Sequence, residues 1–258
     1  MRRLILEEPF SATAVWSRRL GAFALAVAAI SVAMARVQVI DVTPVLAVFG
    51  AAVIFACLAL LLAGAGSVVI WRTGRRGVGA IIGGVALAVL VLAEPGYLTA
   101  RAVMLPLIND VSTDINDPPE FSRSPKANAA RGAIGHPSIP QEWRDEQRKA
   151  YPDIQPVVLD LDSDEAWPLV LKAAANLKWR VIDEIKPGGR IGIGHLDAVD
   201  RPLIMGFPED VTVRVRPLAG QTRIDVRSAS RYGRHDFGDN ARRIRRFATE
   251  LQAQLDER

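Results

Sequence analysis

The densest concentration of anion-binding chemistry in this sequence lies at Arg227, Ser228, Ser230 and Arg231, followed within nine residues by His235, Asp236 and Asn240. Guanidinium forks match carboxylates and phosphates, and a helix starting at His235–Asn240 would add free backbone N–H groups. Gly233 allows the chain to turn between the two sets. These seven residues are the expected ligand site for an anion. The competing reading is that the arginines pair with the domain's own acids. In a catalytic alternative, His235 or Asp236 would act as general base and Arg227 with Arg231 would clamp an anionic envelope substrate.

Other chemistries are poorly supported. Ser228-Ala-Ser230 lacks the glycines of a nucleophile elbow, and its hydroxyls suit the end of a strand. Gly189-Arg-Ile-Gly192-Ile-Gly194 has neither the spacing nor the following helix of a phosphate loop, and reads as a strand that tolerates glycine. His136, His195 and His235 show no metal-ligand spacing. Asp110, Asp114 and Asp117 lack the glycine and distal glutamate of a calcium loop, so turn formation explains them as well. Cys57 is the single cysteine and sits in an apolar span, which excludes thiol catalysis and disulfides from the hydrophilic part. No metal and no cofactor is implied.

The elements that must position these residues are regular only beyond position 156. Alternation predicts strands at Val157–Leu161, Trp179–Ile185, Arg190–Leu196, Asp210–Arg216 and Thr222–Ser228. Helices are expected over about Asp164–Leu177, with Asp164 as N-cap, and Asp236–Leu255. The order β-α-β-β-β-β-α implies an α+β domain, an antiparallel sheet with both helices on one face. Val211, Val213, Val215, Ile224 and Val226 should point inward. Thr212, Arg214, Arg216, Arg223, Asp225 and Arg227 should then form a basic face open to water. Before this domain, residues 101–156 read as a connector rich in proline and Asx turns, interrupted by one short helix over Gln141–Ala150. Residues 101–170 hold twelve acids and seven bases, whereas 211–246 hold ten bases and three acids. The connector segment Asp110–Phe121 is therefore expected to pack on the domain.

Residues 1–100 are different in kind. Leu20–Ile40 holds one charge, Arg36, while Val45–Ile70 and Gly77–Ala93 hold none. About 20 apolar helical residues cross a bilayer, so three spans are expected. Arg18, Arg19, Arg72, Arg75 and Arg76 flank them on one side. By the positive-inside rule the N-terminus is cytoplasmic and residues 101–258 lie outside, in a bacterium the periplasm. The run Leu20–Ala35 after Arg2 and Arg3, with Ala33 and Ala35, also resembles a signal peptide, and its cleavage would leave the same side exported. Gly79-Ala-Ile-Ile-Gly83 is a candidate close helix contact. Glu94, beside Pro95, falls near the outer interface. No series of charges crosses the bilayer, which argues for an anchor and against a transporter or pump. The net charge of +4 comes entirely from this part, because residues 101–258 carry 24 bases and 24 acids. Nucleic acid is thus excluded as a partner, and the lipid bilayer is the first expected one.

Asp110-Val-Ser-Thr-Asp114, Asp117-Pro-Pro-Glu-Phe121, Tyr151-Pro-Asp153, Asp225-Val-Arg-Ser-Ala-Ser-Arg231, Gly233, Asp236, Gly238 and Asn240-Ala-Arg-Arg-Ile244 together resemble the family known as domain of unknown function 1499. The likeness covers roughly residues 105–255, and members resembling this chain often carry N-terminal membrane spans. It implies a domain identity and supplies no catalytic residues. The expectation is an inner-membrane protein with a membrane domain (1–100), a packed connector (101–156) and an α+β periplasmic domain (157–258). Its exported part would bind an anionic envelope ligand or a protein partner, with the enzyme as alternative.

Overall fold

A computed structural model describes residues 8–37, 41–132, 134–188, 192–202 and 204–256. The chain divides into two compact units near Ala100, with residues 204–207 grouped with the first. Arg2, Arg3, the end of the expected span at 38–40, and Arg190 lie outside the described residues.

The first unit holds three helices long and apolar enough to cross a membrane: α1 (Ala12–Val37), α2 (Val42–Thr73) and α3 (Val78–Met104). Small side chains set their spacing. Ala24, Ala28, Ala52, Ala56, Ala59 and Ala88 are buried among one another, and Ser17 and Ser31 donate to the carbonyls of Ala59 and Val45 at 2.9 Å. Such alanine and serine contacts let backbones approach closely where no hydrophobic force favours association. The close α3 contact falls at Gly84, against Ser17 and the Arg18 backbone, while Gly79 has open space around it. The expected Gly79/Gly83 motif is displaced, because Gly83 meets only the flexible stem of Arg18. Helix α3 also continues through Pro95 to Met104, well past the expected end at Ala93.

The second unit is an α+β fold with a fully antiparallel six-stranded sheet, made of β1 (Asp110–Ser112), β2 (Val157–Leu159), β3 (Arg180–Ile185), β4 (Gly194–Asp200), β5 (Glu209–Leu218) and β6 (Gln221–Ser230). The order is β1-β6-β5-β4-β3, and β2 pairs with the other end of β6. Helices α6 (Ser163–Asn176) and α7 (Asp239–Asp256) cover one face. Val211, Val213, Val215, Ile224 and Val226 meet Trp167, Val170, Ile244 and Phe247 there, and the Trp179 and Phe247 rings stack at 5.2 Å.

Several boundaries differ from expectation for local reasons. Gly188 and Gly192 bond to each other's carbonyls, each at positive φ, so β4 begins only at Gly194. Helix α6 starts one residue before the expected cap; Asp162, not Asp164, precedes it, and Pro168 sits a turn inside, where its ring removes one helical bond. Helix α7 cannot start at Asp236, since Phe237 (φ 52°) and Gly238 (φ 75°) are left-handed.

The main correction concerns the second face of the sheet, which is largely covered and not open to water along its length. The connector crosses it, carrying a short helix α4 (Pro125–Arg131) capped by Ser124, whose Ala127 and Ala130 pack on Ile182 and Val199. The connector then forms α5 (Gln141–Ala150), whose Gln147 amide bonds both backbone groups of Ser112 and so satisfies the outer edge of β1. Thr212, Asp225 and Arg227 project towards this face as their alternation requires, and all three are buried.

An arginine-lined cavity beneath the connector

Period-2 alternation divides the expected site between the two faces of the sheet. Ser228 and Ser230 point towards the helices. The Ser228 hydroxyl donates to Asn240 Oδ1 at 2.7 Å, Asn240 Nδ2 donates to Ser230 Oγ at 3.1 Å, and Arg243 donates to both Ser228 and Asn240 at 2.9 Å. Arg243 is anchored in turn on Asp200 at 2.7 Å. Arg227 and Arg231 point the opposite way, under the connector.

The first turn of α7 is also occupied from within. Asp236 accepts from Gly238 N at 2.7 Å and Asn240 N at 3.0 Å, so the chain's own carboxylate takes the position an external anion would use. Burial, chiefly, pushes its pKa up. His235 Nδ1 accepts from Phe237 N, and its ring stacks on Phe237 at 4.7 Å.

On the connector face, charges are matched pair by pair. Arg227 grips Asp110 with Nε (3.0 Å) and a terminal nitrogen (2.7 Å), and also donates to the carbonyls of Pro119 and Pro137. Antiparallel pairing of β1 on β6 sets this up by placing Ser112 opposite Arg227 and Asp110 opposite Ala229. Arg231 holds Asp210 at 2.7 Å, and His136 Nε2 reaches the same carboxylate at 2.7 Å. Burial pushes Asp210 up, but these two partners outweigh it and hold its carboxyl below the usual range. Arg131 meets Asp197 at 2.5 Å, where His195 also approaches at 2.8 Å. Arg214 and Arg223 share Asp225 and Asp114, and Arg214 and Arg216 share Asp117. Asp114 also closes an Asx turn on the N–H groups of Asn116 and Asp117, which accounts for the aspartates that resemble a calcium loop. No group of three metal-ligating side chains occurs among the described residues.

Phe121 is the apolar pin of this arrangement. Its ring lies 5.0 Å from the Arg227 guanidinium, 5.7 Å from that of Arg131 and 4.4 Å from the His136 ring. Beside it opens a cavity of about 570 Å³, lined by Arg131, His136, Arg144, Arg227, Asn116 and Asn128 among others.

A model of a protein family of unknown function, DUF1499, matches residues 110–251. The chain belongs to the DUF1499 family. The match spans the whole sheet, α6, most of α7 and the connector from Asp110 onwards, so in this DUF1499 chain the connector and the arginine-rich face belong to one domain. No curated protein and no solved structure matches the chain.

Of the seven residues expected to bind a ligand, only Arg227 lines this cavity. Sequence reasoning passed over Arg131, His136 and Arg144. A signal was present for Arg144. On α5, Arg148 and Lys149 each find an acid three residues back, Asp145 and Glu146, at 2.8 and 3.0 Å. Arg144 has Gln141 and Gln147 at that spacing. It donates to the carbonyls of Ile139 and Asn116, and among the described residues it has no carboxylate partner.

Proposed function

We propose that this DUF1499 chain is a membrane-anchored binding protein whose connector cavity receives an anionic ligand of the cell envelope. One observation carries the reading. Among the cavity's charged lining residues, Arg123, Arg131, Arg227, His136, Asp117 and Glu120 each have an opposite partner, and Arg144 alone has none among the described residues. A guanidinium lining a partly enclosed cavity, with donors to spare, is a site for a carboxylate or phosphate. Arg227 and Arg131 would add a positive wall without being free to move.

Titrating inorganic phosphate into the full chain in neutral-lipid nanodiscs by calorimetry tests this. Arg144→Ala should weaken binding about tenfold, the value of one charge-assisted hydrogen bond near 1.4 kcal/mol. Unchanged affinity in that variant would remove the proposal.

The enzyme alternative built on His235 and Asp236 is not the reading favoured here, because His235 is not among the residues lining the connector cavity. The proposed placement keeps the N-terminus cytoplasmic and residues 101–258 on the periplasmic side, on the strength of Arg18, Arg19, Arg72, Arg75 and Arg76 flanking the spans. Alkaline phosphatase fused after Arg258 should be active. An inactive fusion, with an active cytoplasmic reporter at the same point, would reverse the orientation.

A further inference from the structure

A second cavity, of about 640 Å³, adjoins the first and differs from it in kind. Its walls include Phe121, Ile185, Ile193 and Gly188, with His195 at one side. Ile185 lies at the end of the edge strand β3 and is 58% exposed. Glu120, Phe121, Ser122 and Arg123 line both cavities. The wall between the two is therefore a single extended stretch of connector, one backbone thick, which is roughly 5 Å. The stretch is pinned from below. Ser122 N donates to buried Asp197 at 2.9 Å, and the Ser122 and Ser124 hydroxyls donate to Asp183 at 2.5 and 2.8 Å. Above, the Glu120 and Arg123 side chains project into solvent and pair with each other at 3.4 Å.

A polar compartment with an unmatched arginine thus stands next to an apolar trough, across a low and fixed divide. We infer that the ligand is an anionic amphiphile: its charged group rests in the Arg144 cavity, its apolar portion crosses the Glu120–Arg123 wall, and its tail lies on Ile185, Ile193 and Phe121. Each compartment alone would suit many small molecules. Their adjacency selects a molecule having both a phosphate- or carboxylate-like head and a hydrocarbon part, the chemistry shared by lipids and by soluble alkyl phosphates. The inference rests on the anion-site reading above and narrows it to a ligand class.

Hexyl phosphate separates the two claims, since it carries the same head as inorganic phosphate and a short tail. Both are titrated calorimetrically into the full chain in phosphatidylcholine nanodiscs, with empty nanodiscs as reference. Hexyl phosphate should bind at least tenfold more tightly than inorganic phosphate. Ile185→Asp should abolish that gain while leaving inorganic phosphate unaffected, and Arg144→Ala should weaken both. Equal affinities for the two probes, or a gain that survives Ile185→Asp, would overturn the amphiphile inference and leave the anion site standing. Binding of neither probe would overturn both. If the inference holds, adding anionic phospholipid to the nanodiscs tells the sources apart. Competition with hexyl phosphate identifies a lipid headgroup as the natural head, and its absence a soluble alkyl anion.

Discussion

Replacing Arg227 by alanine should destabilise the domain by about 3–5 kcal/mol, because it leaves the Asp110 carboxylate buried without its counter-ion. Arg227 is 4% exposed and Asp110 6%, so water cannot take over the lost role. The same change frees the carbonyls of Pro119 and Pro137 and removes one of the two cations over Phe121, loosening the connector where it crosses the sheet. Arg231→Ala should cost less, since His136 remains on Asp210. For a unit of this size the Arg227 change is a fall of roughly 10 °C in melting midpoint. Arg227→Met combined with Asp110→Leu should recover most of it, because no charge is then left buried. A midpoint in Arg227→Ala within about 2 °C of the parent's would show that the ion pair is dispensable. Arg227 would then return as a ligand-binding residue.

The distinction between structural and available arginines was only half legible in the sequence. Alternation placed Val211, Val213, Val215, Ile224 and Val226 in the core and the arginines opposite, and both assignments hold. The same rule separates Arg227 from Ser228, because neighbouring strand residues point to opposite faces. A site drawn as one run from 227 to 231 ignores that, and the sheet divides it. What alternation could not reveal was the cover. Strand β1 has three residues, too few for periodicity to register, yet its pairing with β6 is what brings Asp110 to Arg227. The acids at 110, 114 and 117 promised a complement to the basic strands, but nothing local says which arginine each one meets. Helix α4 was hidden in the same way, seven residues opening on Pro125 in a turn-rich stretch. Isolated helices of that length are not stable in water, and this one is held by Ser124, Arg131 and the Ile182–Val199 surface.

The helix side of the sheet should respond to pH through Glu209. This residue opens β5 opposite Ser230, and it faces Arg243, Asp236 and Asp239 around the start of α7. Burial pushes its pKa up to about 7, and the two aspartates add to that, while Arg243 and the Ser230 hydroxyl pull the other way without prevailing. A carboxyl whose folded pKa lies above its unfolded value binds its proton more tightly in the folded state. Stability from this group is therefore fully present below about pH 4.5 and declines as pH rises towards 7. Because the residue is half-buried and keeps some water, the loss is about 1–3 kcal/mol, below what the full shift would give. Glu209→Gln mimics the protonated form. The variant should match the parent near pH 5 and exceed it by that amount at pH 8, read as melting midpoints from tryptophan fluorescence across the range. Equal midpoints at pH 8 would mean that the carboxylate is well solvated or fully met by Arg243. The comparison also bears on Ser230 and Asn240. Both belong to the network around this carboxyl, so a Glu209-dependent pH profile would identify them as its housing.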